Sequence, residues 1–503
     1  MNTLSSWLSK RAVLSPRKTA IVCDGRDMDY ATFANLSARL AGGLTDKLKV
    51  KSGDRVAFLG ENCPEMLLLL FACARLGAIF LPINWRLANP EIIYILRNSG
   101  ANHLIHDSKR NSAAVSASSS ISGLCCVCVD RFENTVPSFF DITNQPPSPE
   151  NDSIVPEDPV LLIYTSGTTG KPKGALLTQS ALSWNAMNST DMHKLNQNDR
   201  VLTAIPMFHV GGLNIQTLPA LRVGATVILH RGFDPASILR TIKTKKVTLT
   251  VLVPSQMQSL VTHASWAKSD LKSLRMITTG STIVPISLIE NWHRREVPVV
   301  QVYGTTETAP IAAYLRARQA FKHVGSAGMS ARHCELRIVG ANGHPVPKNT
   351  PGEIQIRGPN VMREYWNDPM ETDKAFDGKW FRTGDIAKSD ASGFLTIIDR
   401  QKDLIISGGE NIYPAELEQI LEGHPGVSEA AVIEQQDQFW GAVPVAFVVR
   451  ENLNLTPSQI FEIFEGRIAR FKRPKEIFFL DSLPRNTMGK IQKSMLKDLI
   501  RHD

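Results

Sequence analysis

Apolar and polar positions follow one another along the chain in blocks that predict alternating strands and helices. The apolar run Arg55–Gly60 (RVAFLG), a helical pattern from Pro64 to Leu76 and the run Ala78–Ile83 (AIFLPI) form a strand–helix–strand unit, which implies a parallel sheet. Ile93 to Ile105 repeats the helix-then-strand order. Later come a strand at Val160–Tyr164, a helix at Ser180–Thr190 and strands at Arg200–Met207, Ala225–His230 and Val247–Pro254. A helix over Ile283–Arg294 then leads to the strand Val297–Gly304. From Cys334 the runs shorten and are separated by Gly, Pro and Asn: Cys334–Val339, Gly352–Gly358 and Gly393–Asp399, the pattern of a small β-barrel. The last hundred residues predict a helix from Pro414, strands at Ser428–Glu434 and Val443–Val449, a helix from Pro457 and a strand at Lys475–Leu480. The fold class expected is α/β, with a boundary between residues 1–399 and 400–503.

Two stretches lack such a pattern. Arg110–Gly123, rich in Ser and Ala, and Thr143–Asp158, rich in Pro, Asn and acidic residues, read as exposed loops. The longest apolar run, Met66–Ala74, is broken by Arg75, Gly77 and Pro82, so it reads as a buried helix too short to span a bilayer. Leu4, Trp7 and Leu8 share a helical face and no acidic residue precedes Asp24. An ordinary first amphipathic helix is preferred there over an organellar presequence.

At 503 residues the chain is too long for one hydrophobic core, while 43% apolar and 21% charged residues are ordinary for a globular protein. The formal charge of +8, from 56 basic and 48 acidic residues, fits an anionic small ligand, a membrane surface or nucleic acid equally and selects none of them. Seven cysteines are an odd number and too sparse for a disulfide scaffold, so a reducing, cytoplasmic location is expected. The Cys125-Cys126-Val127-Cys128 cluster has apolar neighbours and no second Cys/His pair at zinc spacing. A buried strand is preferred over a metal site.

Candidate chemistry concentrates where predicted strands end. Val160–Tyr164 runs into Tyr164–Gly174, YTSGTTGKPKG, in which glycines let backbone N–H groups approach an anion, hydroxyls add donors, and Lys171 and Lys173 add positive charge. A polyphosphate is the natural guest, although no Walker A pattern can be laid over the loop. His209, in FHVGG, stands at another strand end and is placed to line a ligand cavity. The strand Val297–Gly304 ends at Tyr303-Gly304-Thr305-Thr306-Glu307-Thr308, where Glu307 suits Mg²⁺, the usual companion of a triphosphate. Asp385, after a tight turn in Trp380–Asp385, suits ribose hydroxyls. Near the chain's end, the loop Pro484–Lys490 delivers a lysine.

Taken together, TSGTTGKPKG, FHVGG, YGTTET, FRTGD, DRQKDLIISGGENIYPAELE and PRNTMGK, in this order and spacing, closely resemble the adenylate-forming superfamily of acyl-CoA synthetases, peptide-synthetase adenylation domains and firefly luciferase. The resemblance covers nearly the whole chain and is strongest to acyl-CoA synthetases. It implies a large N-terminal domain of two parallel-sheet α/β subdomains plus a small β-barrel, and a small mobile α+β C-terminal lid. It also implies the activation of a carboxylate by ATP to an acyl-adenylate, with loss of pyrophosphate, and transfer to coenzyme A with loss of AMP. Thr165, Ser166, Gly167, Thr168, Thr169, Gly170, Lys171 and Lys173 resemble the ATP phosphate cradle. Tyr303 and Gly304 resemble the adenine contacts, and Asp385 and Arg400 the ribose contacts. Thr306 resembles the α-phosphate contact, Glu307 with Thr169 the Mg²⁺ site, and Lys490 the catalytic lysine of adenylation. His209, grouped with this catalytic set, also falls with Gly280 and Ser281 in the implied acyl pocket. Lys402 matches a hinge residue, and Gly408, Gly409, Trp440 and Arg473 the coenzyme A contacts.

Three positions depart from the family pattern: Asp399 where glycine is commoner, Thr279-Gly280-Ser281-Thr282 in place of a GGAP-like stretch, and Ala442 where glutamate often follows the Trp-Gly pair. The second leaves the pocket's shape open. FHVGG lacks the aspartate that amino-acid-activating relatives use, which argues against an amino-acid substrate. The expected activity is therefore acyl-CoA ligation of a fatty or aromatic carboxylate. The alternatives are loading of a carrier protein and a catalytically silent nucleotide-binding relative. No nucleic-acid partner is expected; peripheral membrane contact and the oligomeric state, a homodimer among the options, are left open.

Overall fold

The computed structural model describes the chain apart from residues 1–2, 131–138, 166–171, 282–283, 401–402, 408–409, 438–439, 466, 469, 487–488 and 501–503. The chain divides into two compact units: residues 1–336 with 356–381, and residues 337–355 with 382–503.

The first unit carries two sheets. In the nine-stranded sheet six strands run parallel in the order Val299–Tyr303, Met276–Thr279, Leu249–Val251, Arg200–Thr203, Thr226–Leu229 and Thr19–Cys23, with short antiparallel strands at both edges. The seven-stranded sheet is parallel from Pro159–Thr165 through Ile79–Ile83, Arg55–Leu59 and His103–His106 to Cys125–Cys128. On the other side of Pro159–Thr165 it continues antiparallel through Lys173–Thr178 and Glu364–Tyr365. The strand–helix–strand expectation holds: β-branched and aromatic runs form the strands, and the helix Pro64–Leu76 buries every residue from Met66 to Ala74. That helix ends at Gly77, whose φ of 76° is the left-handed conformation that closes a helix at little cost for glycine. Among the described residues no helix is long and apolar enough to cross a membrane.

Three expectations need correction. Arg110–Gly123 is largely helical, Asn111–Ser120, because Ala113, Ala114 and Ala117 recur on one face and are buried. The strand expected over Arg200–Met207 stops at Thr203. The expected turn in Trp380–Asp385 lies inside one long strand, Trp380–Ser389, which accommodates Gly384 at a φ of 67°.

The strands expected after Cys334, Glu335–Val339, Gly352–Arg357 and Leu395–Arg400, join Trp380–Ser389 and Phe376–Asp377 in a five-stranded sheet, at which the two units part. Beyond it the second unit holds the helix Pro414–Glu422, the long hairpin Val427–Asp437 with Gly441–Arg450, and Glu476–Leu480 added parallel to the latter. It also ends in a helix, Lys493–Ile500, that the sequence pattern did not flag.

Candidate active site

In a parallel sheet the carboxyl ends of the strands share one edge, and ligands collect there. Arg200–Thr203 leads to His209, Met276–Thr279 to Gly280 and Ser281, and Val299–Tyr303 to Gly304–Glu307. The three motifs, separated by up to about a hundred residues, therefore open at one edge of the first unit. Two glycines are required by close packing there. A Cβ on Gly304 would stand 1.6 Å from the Pro310 carbonyl oxygen, and one on Gly212 would stand 2.2 Å from that of Pro206. Gly280 lies beside Val302, whose carbonyl oxygen a Cβ would meet at 2.6 Å, and Ser281 takes a left-handed φ of 77°.

Thr305 N donates to Thr308 Oγ1 at 3.0 Å, closing the turn that contains Thr306. Glu307 is 9% exposed, and its Oε1 accepts from the Tyr365 hydroxyl at 2.8 Å. Burial first, and then the Glu307 charge, hold the Tyr365 phenol well above its usual range, so Tyr365 acts as a donor. Its backbone is placed by the antiparallel pairing of Tyr365 with Ala175. The Glu307 carbonyl accepts from Met362 N at 2.6 Å. Thr305 Oγ1 is buried with no partner among the described residues.

Of the expected phosphate cradle, Thr165 and Lys173 face each other across an antiparallel hairpin, while Ser166, Gly167, Thr168, Thr169, Gly170 and Lys171 lie outside the described residues. Lys173 pairs with Glu371 and sits 5.3 Å from the Tyr365 ring centroid. Lys173 foremost holds the Glu371 carboxyl down, to about 2. Tyr365 and Glu371 escaped the sequence reading. They carry no motif, and only strand pairing across almost two hundred residues brings them to Glu307 and Lys173.

His209 is partly exposed, but its Nε2 is buried without a partner among the described residues. Burial, then the Arg86 charge, keeps its pKa well below the usual value, so the ring is neutral at pH 7. Tyr303, at the end of its strand, is 8% exposed.

In the second unit Asp385 and Arg400 face each other across neighbouring antiparallel strands, and Arg400 Nε meets Asp385 Oδ1 at 2.9 Å. Lys490 is exposed at the end of a tight turn, its N–H donating to Asn486 Oδ1 at 2.9 Å. Trp440 is 45% exposed, and Arg473 pairs with Glu465 at 3.6 Å. Lys402, Gly408 and Gly409 lie outside the described residues.

The donor set at the first unit's edge is hard oxygen: a nearly buried carboxylate oriented by a phenol, beside an unpartnered hydroxyl. It fits Mg²⁺ and does not suit a softer metal.

Residues 8–366 match the AMP-binding enzyme family and residues 416–490 the AMP-binding enzyme C-terminal domain. An indoleacetate–CoA ligase of Aromatoleum aromaticum is 48% identical over 500 residues, which span 99% of this chain and 98% of that one. A feruloyl-CoA synthase of an Amycolatopsis species is 39% identical over 495 residues, spanning 98% of each. Among solved structures, the Bacillus subtilis o-succinylbenzoate CoA synthetase with its acyl-adenylate intermediate matches with a TM-score of 0.88 at 32% identity, covering 98% of both chains. The same enzyme with ATP and magnesium matches at 0.87 and 32%, covering 98% of this chain and 99% of that one. With both domains matched and relatives aligned nearly end to end, the chain belongs to the AMP-binding enzyme family.

Proposed function

We propose that the chain is an ATP-dependent acyl-CoA ligase acting on an aromatic carboxylate through an acyl-adenylate. The observation that carries this reading is the convergence of His209, Gly280 and Gly304–Glu307 on one sheet edge, with Tyr365 orienting Glu307. The relatives at 48% and 39% identity, named for indoleacetate and ferulate, favour an aromatic acid over a fatty one.

In the first half-reaction a carboxylate oxygen attacks the α-phosphorus of ATP, and the bond to the pyrophosphate oxygen breaks. Two anions must meet, so fixed positive charge is needed where charge develops. Lys490 supplies an ammonium, and Thr306 donates to the α-phosphate. Thr165, Lys173 and the residues 166–171 between them hold the departing pyrophosphate. Glu307 and Thr169 would hold Mg²⁺, which when bound neutralises phosphate charge. Tyr303 and Gly304 flank the adenine, and Asp385 with Arg400 hold the ribose. Neutral His209, with Gly280 and Ser281, borders the acyl group without adding charge. In the second half-reaction the coenzyme A thiol sulfur attacks the acyl carbon and AMP leaves, keeping the attacking oxygen. Gly408, Gly409, Trp440 and Arg473 receive coenzyme A, and Lys402 is the hinge at which residues 400–503 turn between the two steps.

A coenzyme A-dependent screen of indoleacetate, hydroxycinnamates, benzoates and fatty acids tests the reading. Pyrophosphate release and thioester formation are expected to be strongest with an aromatic acid; failure of every acid to give release sinks the ligase assignment, and release without thioester removes coenzyme A as acceptor. Lys490→Ala should slow adenylation by about 10²- to 10³-fold while leaving the Kd for ATP nearly unchanged, as measured by pyrophosphate release and equilibrium binding.

A further inference from the structure

Several segments of the second unit meet at one short helix, Pro414–Glu422. At its start Ala415 N donates to Asp399 Oδ2 at 3.0 Å, and Asp399 Oδ1 accepts from Arg400 N at 2.7 Å. One turn further, Glu418 Oε1 accepts from Lys493 Nζ at 2.7 Å and from Val432 N at 2.7 Å. Lys493 and Glu418 keep only 19% and 18% side-chain exposure, and Asp399 is 8% exposed. Lys493 opens the C-terminal helix three residues after Lys490, while Asp399 adjoins Arg400, the partner of Asp385.

The loop bearing Lys490 is closed on itself. Asn486 N donates to the Lys490 carbonyl at 2.8 Å, and Arg485 donates to the Gly489 carbonyl at 2.6 Å. Arg485 also bonds Glu429 at 2.7 Å. These bonds hold the described ends of the loop together and tie Arg485 to the strand Val427–Asp437, but none of them reaches Arg400. The path from Lys493 through Glu418 and the helix to Asp399 links the loop and Arg400, ending three residues from Lys490 and one residue from Arg400.

We propose that Lys493 is a positioning residue for the adenylation step, holding the Lys490 loop, through Glu418 and the helix Pro414–Glu422, at a fixed place relative to Asp385 and Arg400. The proposal rests on the roles given above to Lys490, Asp385 and Arg400. Its physical basis is the cost of opening a largely buried pair: removing the ammonium leaves Glu418 and Asp399 with uncompensated charge, so the contact is held far more firmly than an exposed one. Burial works to lower the Lys493 pKa, but Glu418 and then Asp399 outweigh it and raise it, which keeps the ammonium charged. In the same C-terminal helix, the Lys497–Glu434 pair is 38% and 35% exposed and provides a control, since exposed pairs contribute little.

The test measures the two half-reactions separately in the full chain, as pyrophosphate release with ATP and acid, and as thioester formation from supplied acyl-adenylate and coenzyme A. Lys493→Met and Glu418→Gln should each slow adenylation by about 10²-fold, the scale of a displacement near 1 Å of a reacting group. In both variants the KM for ATP should change little and the thioester step should stay within about twofold of wild type. Lys493→Arg should restore most of the loss, and Lys497→Met should behave as wild type. If wild type forms no adenylate, the ligase reading falls and this proposal with it. If wild type is active, the proposal alone is overturned by unchanged adenylation in both variants, or by an equal fall in both half-reactions that Lys493→Arg does not restore.

Discussion

Glu307 is held by Tyr365, a neighbour that no motif announces, and Lys493 has a like part for Lys490 in the proposal above. The Tyr365 hydroxyl bonds one oxygen of Glu307, which limits rotation of the carboxylate and sets the direction in which it can meet a cation. Tyr365→Phe removes that bond and little else. It should raise the Mg²⁺ concentration for half-maximal adenylation by about tenfold and weaken Mg²⁺-dependent ATP binding similarly, as measured by titration calorimetry. Glu307, Asp385 and Lys490 each stand in a motif with characteristic neighbours, which is why the sequence alone singles them out as candidates. Tyr365 is not singled out, because it reaches Glu307 only through the pairing of Glu364–Tyr365 with Leu176 and Ala175. Nor does the sequence show that Lys472 pairs with Glu416 and Arg473 with Glu465.

Elements with strong periodicity were legible: the parallel strands, the buried helix Pro64–Leu76 and the hairpin of the second unit. The helix Asn111–Ser120 was hidden by its serines, since three small alanines are enough to bury a face that looks polar in composition. The helix Gln179–His193 ends in a feature equally invisible in sequence. His193 is 0% exposed, its Nδ1 donates to the Ser189 carbonyl at 2.9 Å, and its Nε2 meets Thr278 Oγ1 at 2.9 Å, tying the helix to the strand that leads to Gly280. Burial foremost lowers its pKa to about 4. The unfolded chain takes up a proton below about 6.5, whereas the folded chain resists until about 4. The unfolded state therefore binds more protons in that window, and stability falls as pH falls through it. Denaturant unfolding of wild type between pH 7 and pH 5 should include a loss of about 2 kcal/mol that is absent from the slope of His193→Gln.

At the scale of the molecule, the sequence placed a boundary between residues 399 and 400, and the matched C-terminal domain begins at residue 416. The compact units differ in that the second also takes in residues 337–355 and 382–399, where the strand Gly352–Arg357 neighbours Trp380–Ser389 in one sheet, so that the division follows strand pairing rather than chain order. The proposed hinge at Lys402 would let one protein perform two reactions that need different groups at the acyl carbon. Lys402→Pro, which fixes φ near −65°, should leave pyrophosphate release within several-fold of wild type and slow thioester formation by at least about 10²-fold, read by quenched-flow analysis of each step.

In the proposed first half-reaction the carboxylate itself attacks the α-phosphorus. That attack is tested most directly by following heavy oxygen from a labelled aromatic carboxylate, using mass spectrometry of the nucleotide product. The expected product is AMP carrying one labelled oxygen, formed together with pyrophosphate and the aryl-CoA thioester; unlabelled AMP, or ADP with inorganic phosphate, would contradict attack by the carboxylate.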